Sequence, residues 1–262
     1  YSHILKTTNG GNTWIILSSN TEKDLYGLDF IDNTSGYAVG ESGTIIKTTN
    51  AGINWVLQNS NMLNSLASVD FVNANTGIAV GEYGWTTKTT NGGLNWYAVD
   101  ISLYDYHSTK FINQNTIIAA GGFAYGEVGQ ISISSNGGAN WLHQDYASNT
   151  ELMGVSYDNQ SNIMVCGWFG ALNKSTNGGL NWMNTGSGVR KELSKVIFFN
   201  QNTGIVSGKP TILRTTNGGI NWSEHYNSAM INDMYFLNTN TGFAFGNGGT
   251  VLKTTNNGLN WN

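Results

Sequence analysis

Apolar residues in this chain fall into runs of strand length, and no stretch of useful length carries the three-to-four spacing of a helix face. One set reads LYGLDFI (25–31), GYAVG (36–40), TIIKTT (44–49) and NWVLQN (54–59), separated by NTSG, GESG and TNAG. Asparagine and glycine tolerate the positive φ angles that tight hairpins require, so each set predicts four antiparallel strands. The same order returns in 66–99, 106–144, 152–184, 193–225 and 231–262, while residues 1–17 hold only the third and fourth segments.

The register of these sets is marked by tryptophan. Trp14, Trp55, Trp96, Trp141, Trp182, Trp222 and Trp261 are separated by 41, 41, 45, 41, 40 and 39 residues. Four strands in a period near 40 predict the blade of a β-propeller. The expected fold is therefore an all-β propeller with four-stranded antiparallel blades, of the seven-bladed type with one blade incomplete: six complete blades plus a half blade. Residues 1–262 form one domain on this reading. In a closed seven-bladed ring the missing first and second strands would follow Asn262, and the expectation is then a fragment or trimmed domain of a longer chain; a ring of six closed by half-blade rearrangement is the alternative.

Each tryptophan ends a nonapeptide such as KTTNGGLNW (88–96), KTTNAGINW (47–55) or KTTNNGLNW (253–261). Written (S/T)-x-N-x-G-x-x-W, it sits at the hairpin between strands three and four. Its Asn is expected to bond backbone two residues on, its Gly to take a left-handed conformation, and its Trp to cover the turn. The pattern resembles the Asp-box, or BNR repeat, with Asn in the Asp position of all seven copies. The longer pattern at 35–55 and 76–96 is most similar to propellers of photosystem II assembly and stability factors and their secreted bacterial relatives. That resemblance implies the propeller fold and a structural role for the box. It also implies a partner-binding loop of basic residues, where Glu41, Glu82, Trp168, Lys209 and Asn247 stand in this sequence. Asp-boxes also occur in sialidases, sortilin-type receptors and xyloglucan-cleaving glycosidases, so the motif specifies fold more than activity.

Composition narrows the functions. Only 11% of residues are charged, against roughly 25% in an average soluble domain. The net charge is −4, with ten lysines and two arginines, so no basic footprint supports nucleic-acid binding. No apolar run is long enough for membrane insertion. Sialidase-like enzymes are similar in gripping a carboxylate with three arginines, whereas only Arg190 and Arg214 exist here, and Arg214 fills the repeat position of Lys47, Lys88 and Lys253. His3, His107, His143 and His225 fall in different repeats without ligand spacing, so no metal and no cofactor is expected. Cys166, the one cysteine, reads as a small buried apolar residue. Asp29, Asp70 and Lys110 share one position in strand one, which predicts a structural ion pair between Asp70 and Lys110 on adjacent blades.

The loops between strands two and three differ most among repeats. Glu41, Glu82 and Glu127 occupy three consecutive loops, but packed sheets stand about 10 Å apart, at or beyond the limit for a glycosidase acid pair. No catalytic residue is assigned. The aromatic exceptions are Tyr83, Tyr104, Tyr106, Phe123, Tyr125, Trp168 and Phe169; of these Tyr83, Tyr104, Tyr106, Tyr125 and Trp168, together with Glu127, form the candidate ligand-binding set. The function expected is a non-catalytic binding or scaffold propeller of a secreted or cell-surface bacterial protein, engaging protein or polysaccharide. The periplasm is the other compatible compartment. A carbohydrate-active enzyme using loop glutamates as acid and base is the alternative.

Overall fold

The computed structural model describes residues 3–101, 103–123, 128–146, 150–158, 162–226 and 228–262. Tyr125 and Glu127 lie outside them. The strands fall into antiparallel sheets in chain order. The first contains β1 (His3–Lys6) and β2 (Ile15–Ser18); the second β3 (Leu25–Phe30), β4 (Gly36–Gly40), β5 (Ile45–Thr48) and β6 (Val56–Gln58). The third contains β7 (Leu66–Phe71), β8 (Gly77–Gly81), β9 (Trp85–Thr89) and β10 (Tyr97–Asp100); the fourth β11 (Asp105–Phe111), β12 (Ile117–Gly122), β13 (Gly129–Ser134) and β14 (Leu142–Tyr146). The fifth contains β15 (Leu152–Tyr157), β16 (Ile163–Gly167), β17 (Leu172–Ser175) and β18 (Met183–Asn184); the sixth β19 (Glu192–Phe198), β20 (Gly204–Lys209), β21 (Thr211–Thr215) and β22 (Ser223–Tyr226). The seventh contains β23 (Ile231–Phe236), β24 (Gly242–Gly246) and β25 (Val251–Thr254). Its fourth segment is a single ladder pair, Lys253 N–H to the Asn262 carbonyl at 2.8 Å and back at 3.1 Å. The predicted six blades and outer half of another are thus present, all-β and antiparallel.

The chain divides into two compact units, Tyr1–Ala119 with Ser132–His143, and Ala120–Ile131 with Gln144–Asn262. Within each, neighbouring sheets bury strands one, two and three against each other. In the first unit Tyr37, Val39 and Ile45 pack on Leu66, Val69 and Trp96, and Ile78 and Val80 pack on Tyr106, Phe111 and Ile117. In the second, Met164, Cys166 and Leu172 meet Leu193, Val196 and Phe198, and Ile205 and Ile212 meet Ile231 and Met234. Cys166 is fully buried, and burial pushes its thiol up to about 12, which leaves it an inert core residue as expected.

The repeat also explains why each blade bends alike. Strand one carries a register shift after its first residue in β3, β7, β15 and β23 and after its second in β19, a bulge that increases local twist. The last glycine of strand two lies against the residue before strand one. A Cβ on Gly40 or Gly81 would come within 1.9 Å of the Asp24 or Ser65 carbonyl oxygen, so close approach excludes any side chain.

The hairpin between strands three and four is closed by two side-chain oxygens. Thr48 donates its hydroxyl proton to Asn50 Oδ1 at 3.1 Å and accepts the Gly52 N–H at 2.9 Å; Asn50 Oδ1 accepts the Asn54 N–H at 2.9 Å. The same three bonds recur from Thr7, Thr89, Ser134, Ser175, Thr215 and Thr254. The asparagine therefore reaches four residues on, rather than the expected two. It spans the whole turn and contributes an acceptor, a role that either Asn or Asp can fill. The indole N–H groups of Trp55, Trp141 and Trp222 then donate to the Gly52, Gly138 and Gly219 carbonyls at 3.1, 3.2 and 3.1 Å.

Each clip is also tied to the preceding blade. Lys6, Lys47 and Lys174 donate to the carbonyls of Ala51, Gly92 and Gly218 at 2.7, 2.7 and 3.0 Å, Lys88 donates to Gly137, and Arg214 donates to Asn257 at 2.9 Å. All five acceptors are left-handed residues of the clip. Arg214 thus serves the repeat, as its position predicted, while Ile133 stands in this slot of β13 and offers no donor.

Strand one makes a second link. Asp29 and Asp70 accept the N–H groups of Phe71 and Phe111 at 2.9 and 2.7 Å, and Ser156 accepts that of Phe198 at 3.0 Å. Lys110 closes the predicted ion pair on Asp70. Burial pushes the Asp70 carboxyl up to about 6 in spite of that ammonium. Its folded pKa lies above the unfolded value of 3.8, so the folded state holds this proton more tightly and stability falls as pH rises from about 4 to about 6. At 1.36 kcal/mol per pH unit the change is up to about 3 kcal/mol. Thr34 and Ser35 hold Asp32 down to about 2 through hydrogen bonds, which places its own contribution at lower pH, outside that window. Urea unfolding of the wild type and Asp70→Asn at pH 4, 5, 6 and 7 should show the wild type losing stability relative to the variant across the window. A constant difference would contradict the assignment.

Candidate functional site

At the opposite end from the clips, strands two and three of four sheets are joined by tight single turns: Glu41–Gly43, Glu82–Gly84, Trp168–Gly170 and Asn247–Gly249. The first residue of each donates its N–H to the carbonyl before strand one, at Asp24, Ser65, Glu151 and Met230, over 2.8 to 3.1 Å. This places the turn beside the segment entering its own blade. The third residue is glycine because its φ is 70 to 79° and, in Gly170, a Cβ would lie 1.8 Å from the Val189 carbonyl oxygen.

The second residue is the tip. Its φ is 54° in Ser42, Tyr83 and Phe169 and 66° in Gly248, a left-handed conformation disfavoured for bulky side chains. Tyr83 and Phe169 nevertheless occupy it, 59% and 68% exposed. The geometry projects whatever side chain stands there away from the core.

The first position has a local duty. Glu41 pairs with Lys23 at 3.2 Å and accepts the Asp24 N–H at 3.5 Å, and Glu82 accepts the Ser65 N–H at 3.4 Å. Both carboxylates brace their own turns. They also make the local field negative: the phenol pKa of Tyr26 is raised by burial and then by the charges of Asp24, Glu41 and Glu82. In the second unit Trp168 replaces the glutamate. Its carbonyl accepts the Thr150 hydroxyl at 2.9 Å, its ring meets Phe169 edge to face at 6.4 Å, and its buried indole N–H has no partner among the described residues.

The sequence-derived residues separate accordingly. In the first unit Tyr83 and Tyr104 lie at one end of their blades: the Tyr83 N–H donates to Asp105 Oδ1 at 2.6 Å, next to Tyr104, which is half buried against the Tyr106 cluster. Tyr106 itself is a correction. It is fully buried and shares a hydrogen bond with Ser132, which in turn meets His143 Nδ1 at 2.8 Å. It occupies the column of Leu66, Leu152, Leu193 and Ile231, all core residues, and that alignment was available in the sequence. Tyr125 and Glu127 are not described. Phe169, an aromatic exception left outside the candidate set, joins it here: Ser42, Tyr83, Phe169 and Gly248 form one column, the exposed tip of the turn. Phe123, also exposed, borders the same loop class in the second unit.

Among the described residues no group of three or more His, Cys, Asp or Glu side chains is arranged to hold a metal, and no helix is long and apolar enough to cross a membrane. The blades and their clips define a BNR-type β-propeller. The chain belongs to the family of the photosynthesis system II assembly factor YCF48, whose family model matches residues 5–144, just over half of the 262. A solved structure of YCF48 bound to D1 peptide is 20% identical, with a TM-score of 0.72 over 92% of this chain and 81% of that one. YCF48 from Cyanidioschyzon merolae is 16% identical, with a TM-score of 0.59 over 91% and 97%. An ancestral GH74 enzyme is 17% identical, with a TM-score of 0.72 over 97% of this chain but 41% of its own. These structures share the fold. No curated protein sequence matches the chain.

A tip side chain that does not pack should be dispensable for stability. Tyr83→Gly and Phe169→Gly should leave the melting temperature unchanged or slightly raised, since glycine relieves the left-handed backbone while adding some unfolded-state entropy. A loss of several degrees in either variant would make the ring a packing element.

Proposed function

We propose that the chain acts as a non-catalytic, protein-binding propeller of a secreted or cell-surface protein, and that the turn tips between strands two and three carry its recognition. The observation that supports this most is the placement of Tyr83 and Phe169 at left-handed, solvent-facing positions where Ser or Gly serves the turn better. Aromatic rings that face solvent are effective anchors for a partner because burying them on binding removes large apolar area from water. The glutamates beside them are engaged in bracing turns, which weighs against the acid-and-base reading of the loops. That YCF48 has been solved bound to a D1 peptide favours an extended protein segment over a polysaccharide as the partner class. Polysaccharide remains the second reading, supported by the same exposed rings.

The test is binding to arrays of immobilised peptides and of polysaccharides, with the wild type and a Tyr83→Ser, Phe169→Ser double variant. Peptide binding that falls about tenfold or more in the double variant, at unchanged melting temperature, is the expected result. Cleavage of a glycan that disappears in Glu82→Gln would instead establish the enzymatic alternative and remove this one.

A further inference from the structure

The third sheet and the connections that enter and leave it carry large apolar side chains where the repeat does not call for them. Three residues before the first core position of strand one, Leu63 and Leu103 are 89% and 83% exposed, while Met62 and Ile101 supply the buried packing of the same connections. Glu22, Arg190 and Ser228 hold the equivalent place before Leu25, Leu193 and Ile231. The scaffold therefore asks for no leucine there. Trp85 of β9 is 45% exposed, where Thr44, Gln130 and Thr211 hold the equivalent position and are buried.

Hydrogen bonds gather these side chains around one turn. The Glu82 N–H donates to the Ser65 carbonyl at 3.1 Å and its carboxylate accepts the Ser65 N–H, which sets Leu63, two residues earlier, on one side of the Tyr83 tip. The Tyr83 N–H donates to Asp105, which sets Leu103 on the other side. Trp85 pairs across the sheet with Asp100, at the foot of the Leu103 connection. The charged groups among them are all acidic: segments 59–65, 81–86 and 99–105 contain Glu82, Asp100 and Asp105 and no Lys, Arg or His. An N–H donor leaves a carboxylate its charge, and Lys23, in the preceding connection, is already paired with Glu41.

We infer that the patch of Leu63, Tyr83, Trp85 and Leu103 takes a basic segment of a partner protein, an extended chain in which apolar residues are interspersed with lysine or arginine. The apolar side chains of the segment cover Leu63, Tyr83 and Leu103, because exposed apolar area rimmed by polar groups gains most from being covered. Its cations meet Glu82, Asp100 and Asp105 and the face of the Trp85 ring. An acidic segment is repelled by the same three carboxylates. This inference rests on the protein-binding reading of Tyr83 and adds to it the charge of the partner and three further contact residues, Leu63, Trp85 and Leu103.

The probe is a display library of random peptides, about twelve residues long to span the patch, selected on the intact protein. Retained peptides are then synthesised and titrated at low and high salt. They should be enriched in Lys and Arg beside apolar residues, and their affinity should fall as salt rises. A Leu63→Ser, Leu103→Ser variant should bind them about tenfold or more weaker, with the melting temperature unchanged because both side chains are exposed. A Glu82→Gln, Asp100→Asn variant should bind more weakly at low salt and lose most of the salt dependence. Neutral or acidic peptides that still depend on Tyr83 would overturn this inference and leave the function proposed above standing. Basic peptides indifferent to the leucine variant, or with equal salt dependence in the carboxylate variant, would also overturn it. A library from which nothing is retained would count against both.

Discussion

Two oxygens, a hydroxyl and a carboxamide, hold this protein's architecture together. The Ser or Thr that ends strand three and the Asn two residues later satisfy the backbone N–H groups of a turn that has no ladder partner of its own. Buried N–H groups left without acceptors cost about 1–3 kcal/mol each, and the Gly52 and Gly93 amides are buried in this way. Once the turn is fixed, its left-handed residue presents a carbonyl outward, and the lysine of the preceding blade donates to it. The same few atoms therefore close a blade and tie it to its neighbour. That is why nine residues recur with so little change, and why the basic slot includes Arg214 but no acidic residue.

With strand pairing and clips fixed at one end of each blade, the other end is free to vary. Its turn needs a glycine at the third position and a backbone N–H at the first, and these demands say nothing about the second residue. Ser42 and Gly248 suit the left-handed tip, whereas Tyr83 and Phe169 do not. Exposed side chains held in a disfavoured backbone conformation are therefore the candidates on which the proposed recognition rests. The YCF48 family propellers and the GH74 enzyme share this fold, and a shared fold does not by itself specify a function.

Most of the fold was legible because the period is long and its punctuation regular. LYGLDF, GYAVG and IIKT became strands where alternation and turn residues placed them, and the shared position of Asp70 and Lys110 gave their ion pair. The reach of the clip asparagine was not legible, since a residue spacing does not say which amide an oxygen meets. Tyr106 was misjudged because it was read as an aromatic near a loop. Its column, otherwise Leu and Ile, marks the start of strand one, where the chain has already entered the core. Phe169 stood beside Trp168 among the aromatic exceptions without being ranked above it, because only the backbone conformation shows that the second turn position faces solvent.

The claim on which the rest depends is that the clip works through acceptor oxygens rather than through charge or shape. Chemical unfolding of Thr89→Val and Asn91→Asp tests it directly. Thr89→Val keeps the shape but removes the acceptor of the buried Gly93 N–H and the donor to Asn91, and should lower stability by about 1–3 kcal/mol. Asn91→Asp keeps the oxygen that accepts the Thr89 hydroxyl and the Asn95 N–H, and should stay within about 0.5 kcal/mol of the wild type. Equal losses in the two variants, or none in Thr89→Val, would contradict the account.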